Sequence, residues 1–234
     1  VPMERFQLYV VAVILGYFAI LTVPAVLRYP LAFTEEFSEA VMNTVVLSTI
    51  STLITLPLAL VLAQGSLRSP GRTLAPLVTA TVSVPHTAIG VLLAPLVFGA
   101  GLVDTPAAIV IAMTIVSLPI GFTALRSALV SLGTGYFEFL AGMGVTGWRV
   151  IPIAIRSIRS AVVISAILSW FRAFSELGAV LILARRPTTI GVYIFENFLA
   201  WGAAPVVGGS VALLALAVAV GFLIERLTGV ARGK

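Results

Sequence analysis

The sequence predicts an all-α, multi-pass membrane protein with six transmembrane helices, on three observations. Of its 234 residues, 60% are hydrophobic and only 10% charged, against about 25% charged in ordinary globular chains. Mean hydropathy is +1.15. The apolar residues also fall in runs of about 20, enough for a helix to cross a hydrocarbon core of ~30 Å. None alternates as a barrel strand would: residues 211–220 read Val-Ala-Leu-Leu-Ala-Leu-Ala-Val-Ala-Val, and helices satisfy every backbone group within the span.

The first span covers residues 7–27. It is too long for a signal-peptide core and is followed by Arg28 and Tyr29 without a small-residue cleavage pattern, so it reads as retained. The remaining spans are 40–63, 74–98, 106–125, 160–184 and 206–224. Pro57, Pro85 and Pro119 sit inside spans two, three and four, where each removes a backbone donor and favours a kink. Ala12/Gly16, Gly208/Ala212 and Ala215/Ala219 are small-residue pairs at four-residue spacing that permit close helix approach.

Orientation follows from the cations. With the N-terminus cytoplasmic, the inner segments hold Arg5, Arg68, Arg72, Arg126, Arg149, Arg156, Arg159, Arg226, Arg232 and Lys234, and the outer ones only Arg28, Arg185 and Arg186. That bias is the positive-inside pattern, and an even number of spans places both termini in the cytoplasm. The chain reads as one domain, 1–234, with a long inner loop at about 126–159 and a long outer stretch at 185–205.

Several chemistries are excluded. There is no Cys and a single His, His86, which removes thiolate and disulfide chemistry and leaves no His-based metal site. The net charge of +5 comes from cations spread between apolar runs, which does not make a nucleic-acid face. No phosphate loop, H-E-x-x-H or G-x-S-x-G motif occurs. The chain therefore reads as non-catalytic, with no cofactor of its own, and any nucleotide-driven energy source must belong to another subunit.

Few ionisable residues lie inside the spans. Arg172 and Glu176 are four apart on span five, on one helical face, where they attract each other. A lone charge there costs roughly 2.5 to 3.5 kcal/mol on insertion scales, and such residues are functional candidates by default. An inert bridge and a part in a pathway or gate both fit. His86, after Pro85, either bonds a neighbouring helix or joins that pathway. Thr44, Ser48, Ser83, Thr87, Ser169 and Ser175 can line a polar route, or bond their own backbone carbonyls. Arg185 and Arg186 are either an interfacial snorkelling pair or contacts for an external partner.

Within the inner loop, residues 136–149 read Tyr-Phe-Glu-Phe-Leu-Ala-Gly-Met-Gly-Val-Thr-Gly-Trp-Arg. A helix beginning near Glu138 places that carboxylate at its positive end. Gly144 supplies the left-handed turn that ends it, giving two short helices joined at a bend. The segment resembles the E-A-A-x-x-x-G signature of permease subunits of ATP-binding-cassette importers, with Glu138 and Gly144 at the defining positions and Ala141 in the small-residue register. Phe139 and Leu140 replace the two alanines, and Arg156-Ser157 stand where that family usually has Leu-Pro. Asn43-Thr44, the stretch Ser83-Val-Pro-His-Thr-Ala-Ile-Gly90, the stretch Phe171-Arg-Ala-Phe-Ser-Glu-Leu-Gly-Ala179, and Ala184-Arg-Arg-Pro-Thr-Thr189 with Ile194-Phe-Glu-Asn-Phe198 are similar to the molybdate/tungstate branch, which is related to the sulfate branch.

The resemblance implies a type I importer fold and a pair of these chains around one axis. It implies two ATPase subunits, carrying ATP and Mg, bound through Glu138, Ala141, Gly144, Val145, Thr146 and Trp148, and an external binding protein that hands over a tetrahedral oxyanion, with Arg185 and Arg186 as contacts. On it, Thr44, Ser48, Ser83, His86, Arg172, Ser175 and Glu176 are the candidates for the pathway or gate. The competing readings are sulfate or another oxyanion as substrate, a secondary transporter or channel needing no ATPase, and a non-transporting membrane partner that uses the inner loop only for docking.

Overall fold

The computed structural model describes residues 3–31, 33–67 and 69–228, the side chains of 3–6, 148, 227 and 228 excepted. Arg68, Arg232, Lys234 and the side chains of Arg5 and Trp148 therefore lie outside the described residues. The α-helices run in the order α1 (Met3–Arg28), α2 (Glu35–Gly65), α3 (Gly71–Ala80), α4 (His86–Gly99), α5 (Pro106–Ser131), α6 (Thr134–Gly142), α7 (Val150–Ser157), α8 (Arg159–Phe174), α9 (Gly178–Leu183), α10 (Ile190–Trp201) and α11 (Val207–Thr228). No strand occurs among the described residues.

Helices α1, α2, α5 and α11 are each long and apolar enough to cross a membrane alone. Their starts are written locally. Thr34 Oγ1 accepts from Phe37 N–H (3.1 Å) ahead of α2, and Thr105 Oγ1 accepts from Ala108 N–H (3.3 Å) ahead of α5, whose first residue is Pro106. Pro57 and Pro119 lie within continuous helices.

Two further spans are bent pairs, and here the sequence expectation is corrected. The third span is not one helix: Gly71–Ser83 and His86–Gly99 meet at 110°. Pro85 causes the break, because it lacks an N–H and holds the preceding Val84 extended (φ −80°, ψ 130°). His86 thus opens α4 instead of sitting mid-helix. The fifth span is likewise interrupted. Helices α7 and α8 meet at 84°, α8 stops at Phe174, and α9 restarts at Gly178. The outer stretch carries α10, an apolar helix of 12 residues, too short to span alone.

The centre of the bundle is α2, α5 and α8. Ser51 and Thr114 (3.2 Å), Thr55 and Ser117 (3.0 Å), and Ser66 and Arg126 (3.1 Å) are joined by hydrogen bonds. That near-constant offset in sequence means α2 and α5 run parallel. Ser165 Oγ donates to Gly121 O (3.2 Å) and Trp170 Nε1 to Thr49 Oγ1 (3.1 Å), so α8 runs against both. Around these bonds Phe122, Leu125 and Leu129 of α5 pack on Ala59 and Ala63 of α2 toward one end. Ile109, Met113 and Val116 pack on Leu47, Val97 and Val180 toward the other. Over its most apolar 18 residues α5 is 61% buried and α1 not at all, which makes α5 the core and α1 an outer helix exposed along its length in the single chain.

Close approach is seen at glycines outside the Ala12/Gly16 pair. Gly16 has nothing within 4 Å of an added Cβ. At Gly90 of α4 that Cβ would lie 2.9 Å from Ala179 Cα and 2.9 Å from Ile182 Cβ of α9, and at Gly121 2.7 Å from Ser169 Oγ. Gly90→Ala is therefore expected to force α4 off the α9 backbone and destabilise the protein by about 1–3 kcal/mol. Thermal unfolding of the purified protein checks this, with Gly16→Ala as the comparison that does not lower the transition.

Candidate functional site

The interruptions in the third and fifth spans touch each other. A Cβ on Gly178 would lie 3.0 Å from His86 Cβ and 3.0 Å from Thr87 N, so the start of α4 is seated against the restart at α9. Polar groups converge at this junction. Arg172 Nη2 donates to Glu176 Oε2 (2.8 Å) and lies within 2.7 Å of both ring nitrogens of His86. His86 Nδ1 is 3.3 Å from the same carboxylate oxygen, and Arg172 Nη1 donates to Ser175 Oγ (3.2 Å).

Glu176 does more than balance a charge. Its other oxygen, Oε1, accepts from Ala179 N–H (2.8 Å) in the first turn of α9, so the carboxylate caps the restarting helix at its positive end. The pair predicted four residues apart is formed, but not on one helical face, because Glu176 lies beyond the end of α8 in the break. The carboxylate is fully buried, while Arg172 and His86 are 20% and 35% exposed. Ser175 and Thr87 are exposed beside them, and Ser83 is exposed three residues before His86. The arrangement presents a partly open cationic and hydroxyl-bearing rim over a buried counter-ion, which can attract an anion without caging it.

Other candidates are not at this junction. Thr44 is buried, donating to Ala40 O (2.6 Å) and accepting from Ile190 N–H (2.8 Å), so it ties α2 to α10. Ser48 is buried and donates to Val45 O (3.2 Å) within its own turn. Ser169 Oγ is buried against Gly121 with no partner among the described residues. Thr44 and Ser48 are thus engaged by hydrogen bonds inside the bundle, and Ser169 is enclosed by it.

At the end where α2 and α5 begin, Asp104 was not anticipated. It is the described non-glycine residue with positive φ (54°), and its Oδ1 accepts from Arg185 N–H (2.6 Å), pinning the segment after α9 to the α4–α5 connection. The Arg185 side chain is 69% exposed and 4.0 Å from Glu196, while Arg186 bonds Thr188. A carboxylate after a Gly-Leu-Val stretch and before Thr-Pro was the only sequence signal for this turn.

At the opposite end, α6 departs from expectation at its start and matches it at its finish. It begins at Thr134 after Gly133 (φ 79°), which puts Glu138 in mid-helix and exposed, not in the first turn. It closes at Gly144 (φ 76°) with Val145 N–H donating to Leu140 O (2.9 Å) and Gly144 N–H to Ala141 O (2.9 Å), the paired bonds of a Schellman turn. The chain then runs through Thr146 and a short turn of helix at Gly147–Arg149 into α7. Two short helices joined at a bend are thus present, with Phe139 and Met143 exposed on α6 (64% and 56%).

A bundle of lipid-length helices in which two spans break and meet at a charged junction is the architecture of an all-α, multi-pass membrane permease. Sequence comparison makes this specific. The chain is 33% identical over 174 residues to the molybdate/tungstate transport system permease protein WtpB of Thermococcus kodakarensis, covering 70% of this chain and 68% of that one. It is 30% identical over 200 residues to the Pyrococcus furiosus protein of the same name (82% and 78% covered) and 25% over 213 residues to that of Methanocaldococcus jannaschii (86% and 85%). No family model matches. The chain belongs to the molybdate/tungstate transport system permease family, and it is a multi-pass protein of the cell membrane.

Proposed function

We propose that this chain is the membrane-spanning subunit of an ATP-driven importer for a tetrahedral oxyanion, molybdate or tungstate, delivered by an external binding protein. Membership of a family whose named members are molybdate/tungstate permeases carries the substrate class. The glycine-closed α6 element supports the energy source, because the chain's own sequence has no nucleotide site and α6 offers a rigid, partly apolar knob with Glu138, Phe139, Ala141 and Met143 on its surface. Two copies of the chain enclose the pathway, and one ATPase docks on each α6 and on the following Val145, Thr146 and Trp148. ATP-driven closure moves the α6 elements together and swings the broken spans.

The Arg172, His86 and Glu176 junction is the gate or a contact point along the route, and Arg185 and Arg186 meet the binding protein at the other end. The decisive measurement uses vesicles holding this chain with its co-purified ATPase. Molybdate or tungstate with the binding protein is expected to stimulate ATP hydrolysis several-fold. Equal stimulation by sulfate alone would move the substrate assignment, and uptake down an ion gradient without any ATPase would overturn the reading.

A further inference from the structure

A concave site of about 520 Å³ lies at the end of the bundle that carries α6, between the α2–α3 turn, the last turns of α5 and α6 itself. Its volume is in the range of small-ligand sites. Two arginines line it, and both are held by one turn of chain. Arg126 Nε donates to Ser66 Oγ (3.1 Å), and Arg72 Nη2 donates to Leu67 O (3.3 Å). Ser66 is itself fixed, 4% exposed and donating to Ala63 O (2.7 Å). The turn is closed so tightly that a Cβ on Gly71 would lie 2.2 Å from Gly65 O, which sets the position from which Arg72 projects.

Each guanidinium is thus anchored through one nitrogen, and the rest of each donor fork has no protein partner among the described residues. Neither arginine lies within 4.0 Å of a carboxylate there. Glu138 is the acidic group on the wall, so the ionisable lining sums to 2 − 1 = +1. Arg126 is half-buried, and a partly desolvated cation without a counter-charge is costly. Two planar forks lining one cavity suit a tetrahedral oxoanion, and basic pockets beside membrane helices bind lipid headgroups.

The geometry points to an oxoanion-binding site between Arg72 and Arg126, separate from the Arg172 junction, in a cavity whose α6 wall at Glu138, Ala141, Val145 and Thr146 is shared with the proposed ATPase-docking surface. Its ligand is a phosphate-type tetrahedral anion, supplied either by an anionic lipid headgroup or free in solution. Thr134 and Gln64 on the lining offer neutral donors to the same anion.

The test is equilibrium binding to the delipidated full chain in neutral detergent, with short-chain phosphatidylglycerol, inorganic phosphate and molybdate as separate probes. At least one probe is expected to bind saturably, tenfold or more weakly in the Arg72→Gln/Arg126→Gln double variant. Saturation by phosphatidylglycerol alone assigns a lipid headgroup, and saturation by phosphate or molybdate assigns a free anion. Glu138→Gln leaves both arginine anchors intact and is expected to tighten binding two- to fivefold, which keeps the test available if the double variant does not fold. Absence of saturable binding by all three probes, or wild-type affinity in the double variant together with no change in Glu138→Gln, overturns the site.

Discussion

Replacing Arg172 by alanine is expected to cut the yield of folded, detergent-extractable protein sharply, by the equivalent of about 3–5 kcal/mol of stability, because it strands a buried carboxylate. Glu176 is fully buried, and Arg172 at 2.8 Å supplies its permanent counter-charge. The structure also says how the loss is repaired. Glu176→Ala in the same background removes the stranded charge but also the acceptor for Ala179 N–H (2.8 Å), so α9 loses its cap and recovery is partial. Glu176→Gln removes the charge and keeps the acceptor, and the Arg172→Ala/Glu176→Gln protein is expected to regain most of the yield. Size-exclusion profiles and thermal unfolding of the four proteins decide it. A fold recovered with transport still absent assigns Arg172 to the route, whereas transport recovered with the fold reduces the cluster to a structural bridge.

The second large effect concerns the turn after α6. On the proposed coupling role of α6, Gly144→Val is expected to abolish uptake in vesicles while the protein remains in the membrane and ATP hydrolysis by the proposed ATPase partner continues without its transport-dependent stimulation. A Cβ added at Gly144 meets no neighbour within 4 Å, so the effect does not come from crowding at that atom. It arises from φ of 76°, which a β-branched residue adopts only at a cost of about 1–3 kcal/mol. Relaxing that strain opens the bonds from Val145 and Gly144 back to Leu140 and Ala141, and the knob loses its shape. Retained uptake at wild-type rates would remove α6 from the coupling role. Gly133→Val, at the other end of α6 with φ 79° and ψ 163°, a region essentially confined to glycine, places a larger backbone strain away from the turn.

Legibility differed by the range of the physics involved. The α6 turn was readable because a glycine six residues after a helical carboxylate is a local signal, and the left-handed turn depends only on neighbours in sequence. The start of that helix was not, since Gly133 opens it four residues earlier than the carboxylate suggested. The Arg172–Glu176 attraction was also readable from spacing, but the arrival of His86 was not. It depends on a 110° bend at Pro85 that brings the third span against the fifth. The partners of Thr44 and Ser48 were not readable either: Thr44 ties α2 to α10 and Ser48 bonds within its own turn, because a hydroxyl's partner depends on which helix faces it.

Composition and run length alone determined that this is a helical membrane protein, because the price of exposing so much apolar surface to water leaves lipid as its solvent. Local backbone chemistry likewise determined the glycine-closed turn, whereas proline marked three places for a kink and only Pro85 breaks its span. Only the tertiary structure decided that two spans are interrupted at the same place, that Glu176 caps one helix while neutralising another, and that Arg72 and Arg126 share a cavity. Those contacts join residues 54 to 92 positions apart, or depend on a break between two helices. Their free energy comes from packing that no window of sequence contains.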